Sequence, residues 1–416
     1  MSEHVKLSEV CEILNSNVDK KIKENEQKVK LCNFTDVYNN WAITKYTSKK
    51  FMKATATQNE INKFSLKKGY VAITKDSETK DDIGISTYIA DNFDNVLLGY
   101  HCTLLKPNQK VLNGKFLNAY LNSFYGRKYF SNCASGSGQR YTLTIDTIKD
   151  LNIPLINIET QQKIARTLSV LDQKIENNHK INELLHKILE LLYEQYFVRF
   201  DFLDENNKPY QTSGGKMKFS KELNRLIPND FEVKTLGELI TWISGSQPPK
   251  SCHIYEHKEG YIRFIQNRDY SSNDYITYIP ISKNNKICYQ YDIMIDKYGE
   301  AGAVRFGLQG AYNVALSKIS VLNQSMQEYI RSYLNSKPIK KYLSNACMAS
   351  TRSSLNENHI YSLMLPIPPI NLLQKYEKIA KNIITAIINN NQSTQTLTAL
   401  RDFLLPLLLK QQVKPK

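Results

Sequence analysis

The sequence predicts an α+β protein in which two globular units are separated by two long antiparallel coiled-coil helices. Two observations predict this fold. The first is a pair of heptad-patterned segments, one central and one near the C-terminus. The second is a repeated order of short segments, which gives the chain a pseudo-two-fold internal repeat of a little over 200 residues.

The central segment, residues 159–200, predicts a long uninterrupted helix. Glycine is absent between Gly138 and Gly214 and proline between Pro154 and Pro209, so nothing in it breaks a helix. At 1.5 Å per residue it would extend roughly 60 Å. Two asparagines in its seam are expected to fix register and partner at some cost in stability. The seam alternates steps of four and three, as in a coiled coil, at Ile164, Leu168, Leu171, Ile175, Asn178, Asn182, Leu185, Leu189, Leu192 and Tyr196.

A second heptad pattern near the C-terminus is related to the first. Its seam comprises Ile379, Ile383, Ala386, Asn390, Ser393, Leu397, Leu400, Leu404 and Leu407. A shift of 212 residues places Ile175 on Ile387, Asn178 on Asn390, Leu185 on Leu397 and Leu192 on Leu404. We therefore expect the two helices to pack on each other; the alternative is a pair of unrelated surface helices.

Composition favours a polyanionic partner. Of 416 residues, 55 are Lys or Arg and 40 are Asp or Glu, and the resulting charge of +15 is typical of chains that meet nucleic acid. Seven cysteines are scattered without a C-x-x-C pair, which argues against a zinc site or disulfide frame and for a reducing cytosol. The N-terminus lacks an apolar signal region and no 18-residue apolar run exists, so we expect a soluble, cytoplasmic protein without membrane association.

Each globular unit is expected to mix short strands and helices. Residues 6–14 predict a short amphipathic helix, and β-branched runs between turn residues predict strands. The same order of segments returns after residue 230, with Leu236 in the place of Leu7. The division is then a first unit (1–152), a central spacer helix region (153–208), a linker rich in Gly, Asn, Ser and Pro (209–233), a second unit (234–364) and a distal spacer helix region (365–416).

No catalytic or metal-binding constellation is evident. The sequence has no phosphate-binding Gly-rich motif and no H-E-x-x-H; His253 and His257 have helical spacing without the required acid. Asp292, Asp296 and Lys297 only faintly resemble a nuclease cluster. The chain is therefore predicted to be a binding protein with no catalytic residue and no metal site.

Two globular units on a rigid helix pair suit a two-part DNA target, since the helices would fix the half-site separation. The copies differ in sequence, so the half-sites are expected to differ. Arg140 and Arg352 are the stronger candidates, because the repeat retains a polar, basic loop at residues 137–141 and 350–354. Each of the other basic candidates is of a residue type that is more commonly just a solvated surface side chain. The DNA-binding candidates are Lys45, Lys49, Lys50, Lys53, Arg140, Tyr141, Arg268, Lys297, Arg305 and Arg352.

Two stretches resemble a known family. IPLINIETQQKIARTLSVLDQKIENNHKINELL, with the following KPYQTSGGKMKFSKELNRLIPNDFEVKTLGE, is similar to the central region of specificity subunits of type I restriction–modification systems. LPIPPINLLQKYEKIAKNI resembles the distal repeat of that family. With the two units ahead of these stretches, the resemblance covers essentially the whole chain.

The resemblance implies two target recognition domains, each reading one half of an interrupted double-stranded DNA target. It implies no activity of the chain alone and no cofactor bound by it. Two modification subunits would use S-adenosylmethionine to methylate adenine, and restriction subunits, which the assembly can add, would cleave DNA with ATP and magnesium. The spacer helices would help to bind the modification subunits. Ser393 and Thr394 replace Ile181 and Asn182 in the distal helix, so the two docking sites need not be equivalent.

Two alternatives remain at this point. A coiled-coil interaction protein would leave the duplicated basic units unexplained and would show no salt-dependent DNA affinity. The recognition part of another class of restriction enzyme would require fused methyltransferase and nuclease motifs, which the sequence lacks.

Overall fold

A computed structural model of the chain describes residues 3–136, 139–273, 275–348 and 354–413. The chain divides into two compact units. The first comprises Met1–Asn177 and Thr394–Lys416, and the second comprises Asn178–Ser393. Each unit therefore contains one globular part and a portion of each long helix.

The globular part of the first unit is built on two sheets. A five-stranded sheet has the order Cys11–Asn15, Cys102–Pro107, Val71–Thr74, Ser86–Ile89 and Ala42–Ile43, and a three-stranded sheet has the order Met52–Ala56, Gln27–Cys32 and Val96–Leu98. Smaller pairings join Glu3–Lys6 to Asn152–Leu155, and Ser135–Gly136 to Tyr141–Thr142 and Asp76–Ser77. The short helices are Leu7–Val10, Phe34–Asn39, Gln58–Phe64, Gly114–Asn122, Phe124–Cys133 and Ile145–Lys149, with a 3-10 turn at Thr47–Lys50.

The second unit has a matching set of sheets. One has the order Ile240–Ser244, Leu316–Val321, Ile293–Asp296 and Val304–Arg305, and another has the order Tyr278–Pro280, Tyr261–Ile265, Gly310–Tyr312 and Ile287–Cys288. Glu232–Thr235 pairs with Met364–Ile367, and Met217–Ser220 forms a hairpin with Arg225–Pro228. The shorter helices are Gln327–Asn335, Lys337–Met348 and Asn358–Tyr361, with 3-10 turns at Leu236–Glu238, Lys250–Cys252, Asn267–Tyr270 and Gln324–Met326.

Hydrogen bonds as well as strand order confirm the internal repeat. The amide of Leu7 donates to the carbonyl of Leu151 at 2.8 Å, and the amide of Leu236 donates to that of Leu363 at 2.7 Å. Both leucines are fully buried. Gln27–Cys32 in the first unit and Tyr261–Ile265 in the second each pair in parallel with one later strand and antiparallel with another. The duplication therefore preserves backbone architecture, although few side chains are shared.

The prediction of a helix over residues 6–14 is wrong beyond its first turn. The helix ends at Val10, and Cys11–Asn15 is a strand. Cys11 and Ile13 are buried while Glu12 between them is exposed, which is the two-residue period of a strand with one face in the core. Pairing with Cys102–Pro107 therefore overrides the local helical pattern.

The two long helices are as expected from the sequence. The central helix spans Ile158–Tyr193 and continues as a π-helical turn, Glu194–Val198; the distal helix spans Ile370–Leu409. In the first unit the start of the central helix packs against the end of the distal helix, with Ile164 and Leu168 in one core with Leu405 and Leu408. In the second unit the end of the central helix packs against the start of the distal one. Within each unit the pair is therefore antiparallel.

Asparagines meet between the helices in the second unit. The side-chain amide of Asn390 donates to Asn182 Oδ1 at 2.9 Å, and that of Asn182 donates to Asn391 Oδ1 at 2.8 Å. The amide of Asn178 reaches the carbonyl of Asn390 at 3.4 Å. Paired in this way, these amides satisfy one another, so they can set the helix register without leaving polar groups unpartnered.

The seam positions are buried to different degrees. Leu168, Leu171 and Ile387 are buried, whereas Ile175, Leu185, Leu192, Ile383, Leu397 and Leu404 are partly buried. Ile379 and Leu400, which the heptad pattern also places in the seam, are each 41% exposed. At the start of the distal helix the buried residues are Tyr376, Ala380 and Ile384, because this part packs on a globular core along a broader face than a coiled-coil seam. None of the described helices is long and apolar enough to span a membrane.

Candidate nucleic-acid interface

Four predicted lysines form a basic surface in the first unit. Lys45, Lys49 and Lys50 lie on or beside the 3-10 turn, Lys53 lies on the following strand, and all four are exposed. Lys30, opposite Lys53 in the sheet, donates from Nζ to the carbonyl of Ser48 at 3.1 Å. These five residues, the lysine patch, present several positive charges to solvent, which suits contacts to DNA phosphates.

A second group of polar side chains, the Arg140 cluster, comprises Lys75, Asp76, Tyr100, His101 and Arg140. Strand register brings it together. Because Thr74 pairs with Cys102, Lys75 and Asp76 leave the sheet where Tyr100 and His101 enter it, and the amide of Lys75 donates to the carbonyl of His101 at 3.1 Å. Residues 141–142 pair with Asp76–Ser77 and bring Arg140 to the same place.

The Asp76 carboxylate is the centre of the Arg140 cluster. Its Oδ2 lies 2.8 Å from His101 Nδ1 and 3.6 Å from Arg140 Nη2, and its Oδ1 accepts from the Thr142 hydroxyl at 3.1 Å. Arg140 Nη2 also lies 3.0 Å from His101 Nδ1. One ring nitrogen cannot donate to the carboxylate and accept from the guanidinium at once. When His101 Nδ1 carries a proton and donates it to Asp76, Arg140 is held by charge attraction alone.

One lysine–tyrosine pair lies within the Arg140 cluster and another lies beside it. Lys75 Nζ lies 4.8 Å from the centre of the Tyr100 ring, and Lys80 Nζ lies 5.6 Å from that of Tyr141. Tyr100 is exposed over half of its surface. Cations beside exposed aromatic rings offer contacts both to phosphates and to base faces.

The structure separates the lysine patch from the Arg140 cluster. Ile43 pairs in parallel with Ile89, and the amide of Ile89 donates to the carbonyl of Tyr70. Lys45, which follows the strand Ala42–Ile43, is therefore near the start of the strand Val71–Thr74. Asp76 lies just after the end of Val71–Thr74. The two groups lie at opposite ends of the sheet.

The second unit repeats the backbone of the Arg140 cluster. The amide of Lys297 donates to the carbonyl of Ala315 at 2.8 Å, as Lys75 does to His101. The carbonyl of Lys297 accepts from Leu355 at 3.0 Å, as that of Lys75 accepts from Leu143 at 2.8 Å. By this register Ala315 replaces His101, Val314 replaces Tyr100 and Tyr298 replaces Asp76. The frame is retained and the side chains on it are changed.

Arg305 is engaged within the second unit. Its Nη2 lies 3.0 Å from Asp296 Oδ2 and 2.5 Å from Glu300 Oε2. Asp296 is 1% exposed, and burial raises the pKa of its carboxyl although Arg305 lies beside it. Asp292 pairs instead with Lys318 at 3.3 Å. The acids that faintly resembled a nuclease site are thus tied up in ion pairs, and among the described residues no group of three His, Cys, Asp or Glu could hold a metal ion.

The remaining candidates of the second unit, Arg268 and Lys297, have other neighbours. Arg268 is exposed, 3.9 Å from the buried Asp269 carboxylate and with its guanidinium 5.7 Å from the centre of the Tyr275 ring. Lys297 is partly buried, which lowers the pKa of its ammonium, and Nζ lies 6.0 Å from the centre of the Tyr298 ring. Arg352 lies outside the described residues, as does most of its loop.

Sequence reasoning missed Asp76, Tyr100 and His101. Asp76 and His101 are 25 positions apart and meet only through strand register. The repeat reveals them only after the backbone hydrogen bonds align its two copies, when the equivalent positions carry Tyr298, Val314 and Ala315.

Comparison with known proteins identifies the family. The model of the type I restriction modification DNA specificity domain matches residues 2–187 and 228–399, which together make up most of the chain. A type I restriction enzyme MjaIX specificity subunit from Methanocaldococcus jannaschii is 28% identical over 349 residues, covering 82% of this chain and 74% of the relative. The HindI specificity subunit from Haemophilus influenzae is 24% identical over 411 residues, covering 84% and 88% respectively.

A solved structure shows the same fold. The crystal structure of a type I restriction–modification S subunit from M. genitalium has a TM-score of 0.56 at 17% identity and covers 98% of this chain and 96% of that one. The long helices, the duplicated mixed sheets and the two matches to one family model agree with each other. The chain therefore belongs to the type I restriction–modification DNA specificity family, whose members recognise DNA sequence and are not themselves catalytic.

Proposed function

We propose that the chain directs the other subunits of a type I complex to a bipartite, asymmetric DNA target, with one half-site read by each unit. As a family member it binds DNA and assembles with other restriction–modification subunits. One observation supports the asymmetric target: the units share strand order and backbone hydrogen bonds but carry different side chains at equivalent strand ends. Base identity is read by side chains, so a shared frame with different side chains favours two different half-sites.

We propose that modification subunits dock on exposed apolar faces of the long helices. On the central helix, Ile181, Leu184, Ile188 and Leu191 follow steps of three and four, and each is between 45% and 65% exposed. We call these four residues the central stripe. A helix face with this spacing suits an amphipathic partner helix. An unpartnered row of large apolar side chains is unusual on a soluble surface unless a partner covers it.

The repeat-equivalent face of the distal helix is less apolar. A shift of 212 residues places Ser393 and Thr396 on Ile181 and Leu184, whereas Leu400 and Phe403 replace Ile188 and Leu191. Leu400 and Phe403 are 41% and 65% exposed. We therefore propose two docking sites for two modification subunits, with tighter binding at the central stripe because it buries more apolar surface.

The proposal leaves the chemistry to partners. S-adenosylmethionine would be bound by the modification subunits, and ATP with magnesium by restriction subunits where these join. The complex would act in the cytoplasm on double-stranded DNA. This division of roles follows the family resemblance.

Docking is tested by capture of the cognate modification subunit on the immobilised chain. Leu184→Glu is expected to weaken capture by about ten-fold or more, because a carboxylate would be buried without a partner in the apolar contact. Phe403→Glu should weaken it less. The control is Ile22→Glu in the first unit, which changes a 76% exposed residue outside the stripe. Equal capture by Leu184→Glu and wild type would contradict docking on this face.

The bipartite reading is tested by exchange of residues 1–152 with those of a related specificity subunit. The methylation motif of the host is then determined by single-molecule sequencing. We expect one half of the motif to change and the other to stay. A change in both halves would contradict separate reading by the two units.

A further inference from the structure

We propose that Arg140 reads a guanine in the half-site bound by the first unit, and that Asp76 and His101 position its guanidinium for that contact. The inference rests on the proposed function, because it assumes that each unit reads one half of the target. The internal repeat by itself identifies neither the base that is read nor the residue that reads it.

Arg140 has the chemistry and the exposure that base reading requires. Its side chain is 58% exposed and lies where two strands end, beside the exposed Tyr100. In the major groove, a guanidinium pairs with the O6 and N7 acceptors of guanine through two parallel hydrogen bonds, a pattern that no other base offers. An arginine that reads guanine must therefore keep two N–H groups available and a defined orientation.

The contacts of Arg140 meet both requirements. The close contact with His101 and the ion pair with Asp76 both involve Nη2, so within the described part of the chain Nη1 and Nε have no partner. Asp76 is itself fixed, because its side chain is only 13% exposed and accepts a hydrogen bond from the Thr142 hydroxyl. His101 competes with Arg140 for the same carboxylate oxygen. The guanidinium is thus oriented by charge without being saturated, which lowers the cost of ordering it on DNA.

Comparison of the two units argues against a purely structural role. If the fold needed an ion pair at this strand end, the second unit would be expected to keep it, since it keeps the surrounding backbone hydrogen bonds. Instead Tyr298 and Ala315 occupy the positions of Asp76 and His101. The arginine is kept in the sequence of both copies, as Arg140 and Arg352, while its partners Asp76 and His101 change, as expected if those partners set how the first unit presents its arginine.

Affinity should survive the loss of base reading. Lys75 and Lys80 lie beside exposed or partly exposed tyrosine rings near Arg140, and the lysine patch supplies further charge. Phosphate contacts of this kind add affinity evenly across sequences. Arg140→Lys keeps the charge but replaces the rigid planar fork by a flexible ammonium, so it weakens base reading while it preserves charge.

The test uses the complete complex in its host and the methylation motif as readout, followed by binding of purified complex to duplexes that differ at one position. Wild type is expected to require a G·C pair at one position of one half-site. Substitution of that pair should weaken binding by about ten-fold or more for wild type, and by only a few-fold for Arg140→Lys. Asp76→Asn should relax the same position, and the other half-site should not change.

Lys63→Ala removes an exposed charge from the helix Gln58–Phe64 of the same unit and serves as the matched control; its motif should equal that of wild type. Circular dichroism on each purified variant confirms folding. An unchanged motif in Arg140→Lys, or equal relaxation in Lys63→Ala, would overturn the inference. Loss of methylation at every site by folded Arg140→Lys would also overturn it, since charge is retained. A wild-type complex with no bipartite motif would instead contradict the proposed function.

Discussion

The ion pair between Asp172 and Arg401 allows a test of the internal repeat in which the chain supplies its own replacement residues. In the first unit, Arg401 Nη1 lies 3.5 Å from Asp172 Oδ1, and its guanidinium lies 4.2 Å from the centre of the Trp41 ring. The side chains are only 15% and 18% exposed. A shift of 212 residues places Asp172 on Ile384 and Leu189 on Arg401. The equivalent positions of the second unit are thus apolar.

Removal of one partner should be costly. Burial raises the pKa of Asp172 to about 6 even with Arg401 beside it, so the carboxylate is already destabilised by desolvation. Arg401→Leu would leave that group without its partner and without the stacking on Trp41. Fully buried pairs lose about 3–5 kcal/mol on such a change, and for this partly buried pair we expect about 2–4 kcal/mol at pH 8.

The cost should depend on pH in a defined direction. Because the folded-state pKa of Asp172 is raised, the folded protein binds more protons than the unfolded chain between about pH 4 and pH 6. Protonation of Asp172 therefore stabilises the folded state fully at low pH, and this stabilisation is lost as the pH rises through the folded-state pKa of about 6. Arg401→Leu raises that value further, so its penalty should be smaller at pH 5 than at pH 8.

The double variant Asp172→Ile/Arg401→Leu should recover most of the loss. It installs the pair found at the repeat-equivalent positions, and apolar replacement of a buried ion pair is commonly neutral or stabilising. We expect its free energy of unfolding to lie within about 1 kcal/mol of wild type or above it. Urea unfolding followed by far-ultraviolet circular dichroism measures the wild type, the single variants Asp172→Ile and Arg401→Leu, and the double variant. A double variant as unstable as the sum of the two single variants would refute the reasoning.

Two further predictions concern the second unit. Glu377 accepts the amide of Glu328 at 2.9 Å, and burial raises the pKa of its carboxyl to about 7. Protonation of Glu377 stabilises the folded state fully below about pH 4.5, and this stabilisation is lost as the pH rises through 7. Glu377→Gln should therefore raise the free energy of unfolding by about 1–3 kcal/mol at pH 8 and change it little at pH 5. Equal effects at both pH values in urea unfolding would contradict this. Asn390→Ala should cost about 1 kcal/mol because Asn182 loses its donor, and adding Asn182→Ala should cost little more; strictly additive losses would show that the two amides do not interact.

The architecture could be predicted because its signals are local or repeated. The absence of Gly and Pro across residues 159–200 and the spacing of Leu168, Leu171 and Ile175 indicate a long helix without any knowledge of its neighbours. The correspondence of Leu7 with Leu236 indicates the duplication. These features survive in the structure because they depend on backbone propensity and on residues that are fully buried in both units.

The errors come from packing that a local pattern does not record. Residues 11–14 satisfy a helical pattern, but Cys11 and Ile13 face the core of a sheet whose partner strand begins at Cys102. Ile379 fits a heptad seam, yet it is 41% exposed because Tyr376 and Ala380 pack on the globular core. In both places long-range packing chooses between two periods that the sequence allows.

The candidate site depended even more on long-range structure. Arg140 was predicted from the repeated loop, but its partners Asp76 and His101 come from different strands and meet only by register. The structure also separates Arg140 from Lys45 and Lys49, the other DNA-binding candidates that the sequence places in the first unit.

The central claim is that this one chain sets a single bipartite, asymmetric DNA specificity for its partners. Single-molecule sequencing of the host genome, with the gene intact and with it deleted, tests this claim most directly. We predict that deletion abolishes adenine methylation at one interrupted motif with two different halves and leaves other motifs unchanged. If the modification subunit is expressed and no motif disappears, or if the lost motif is continuous or palindromic, the claim is contradicted.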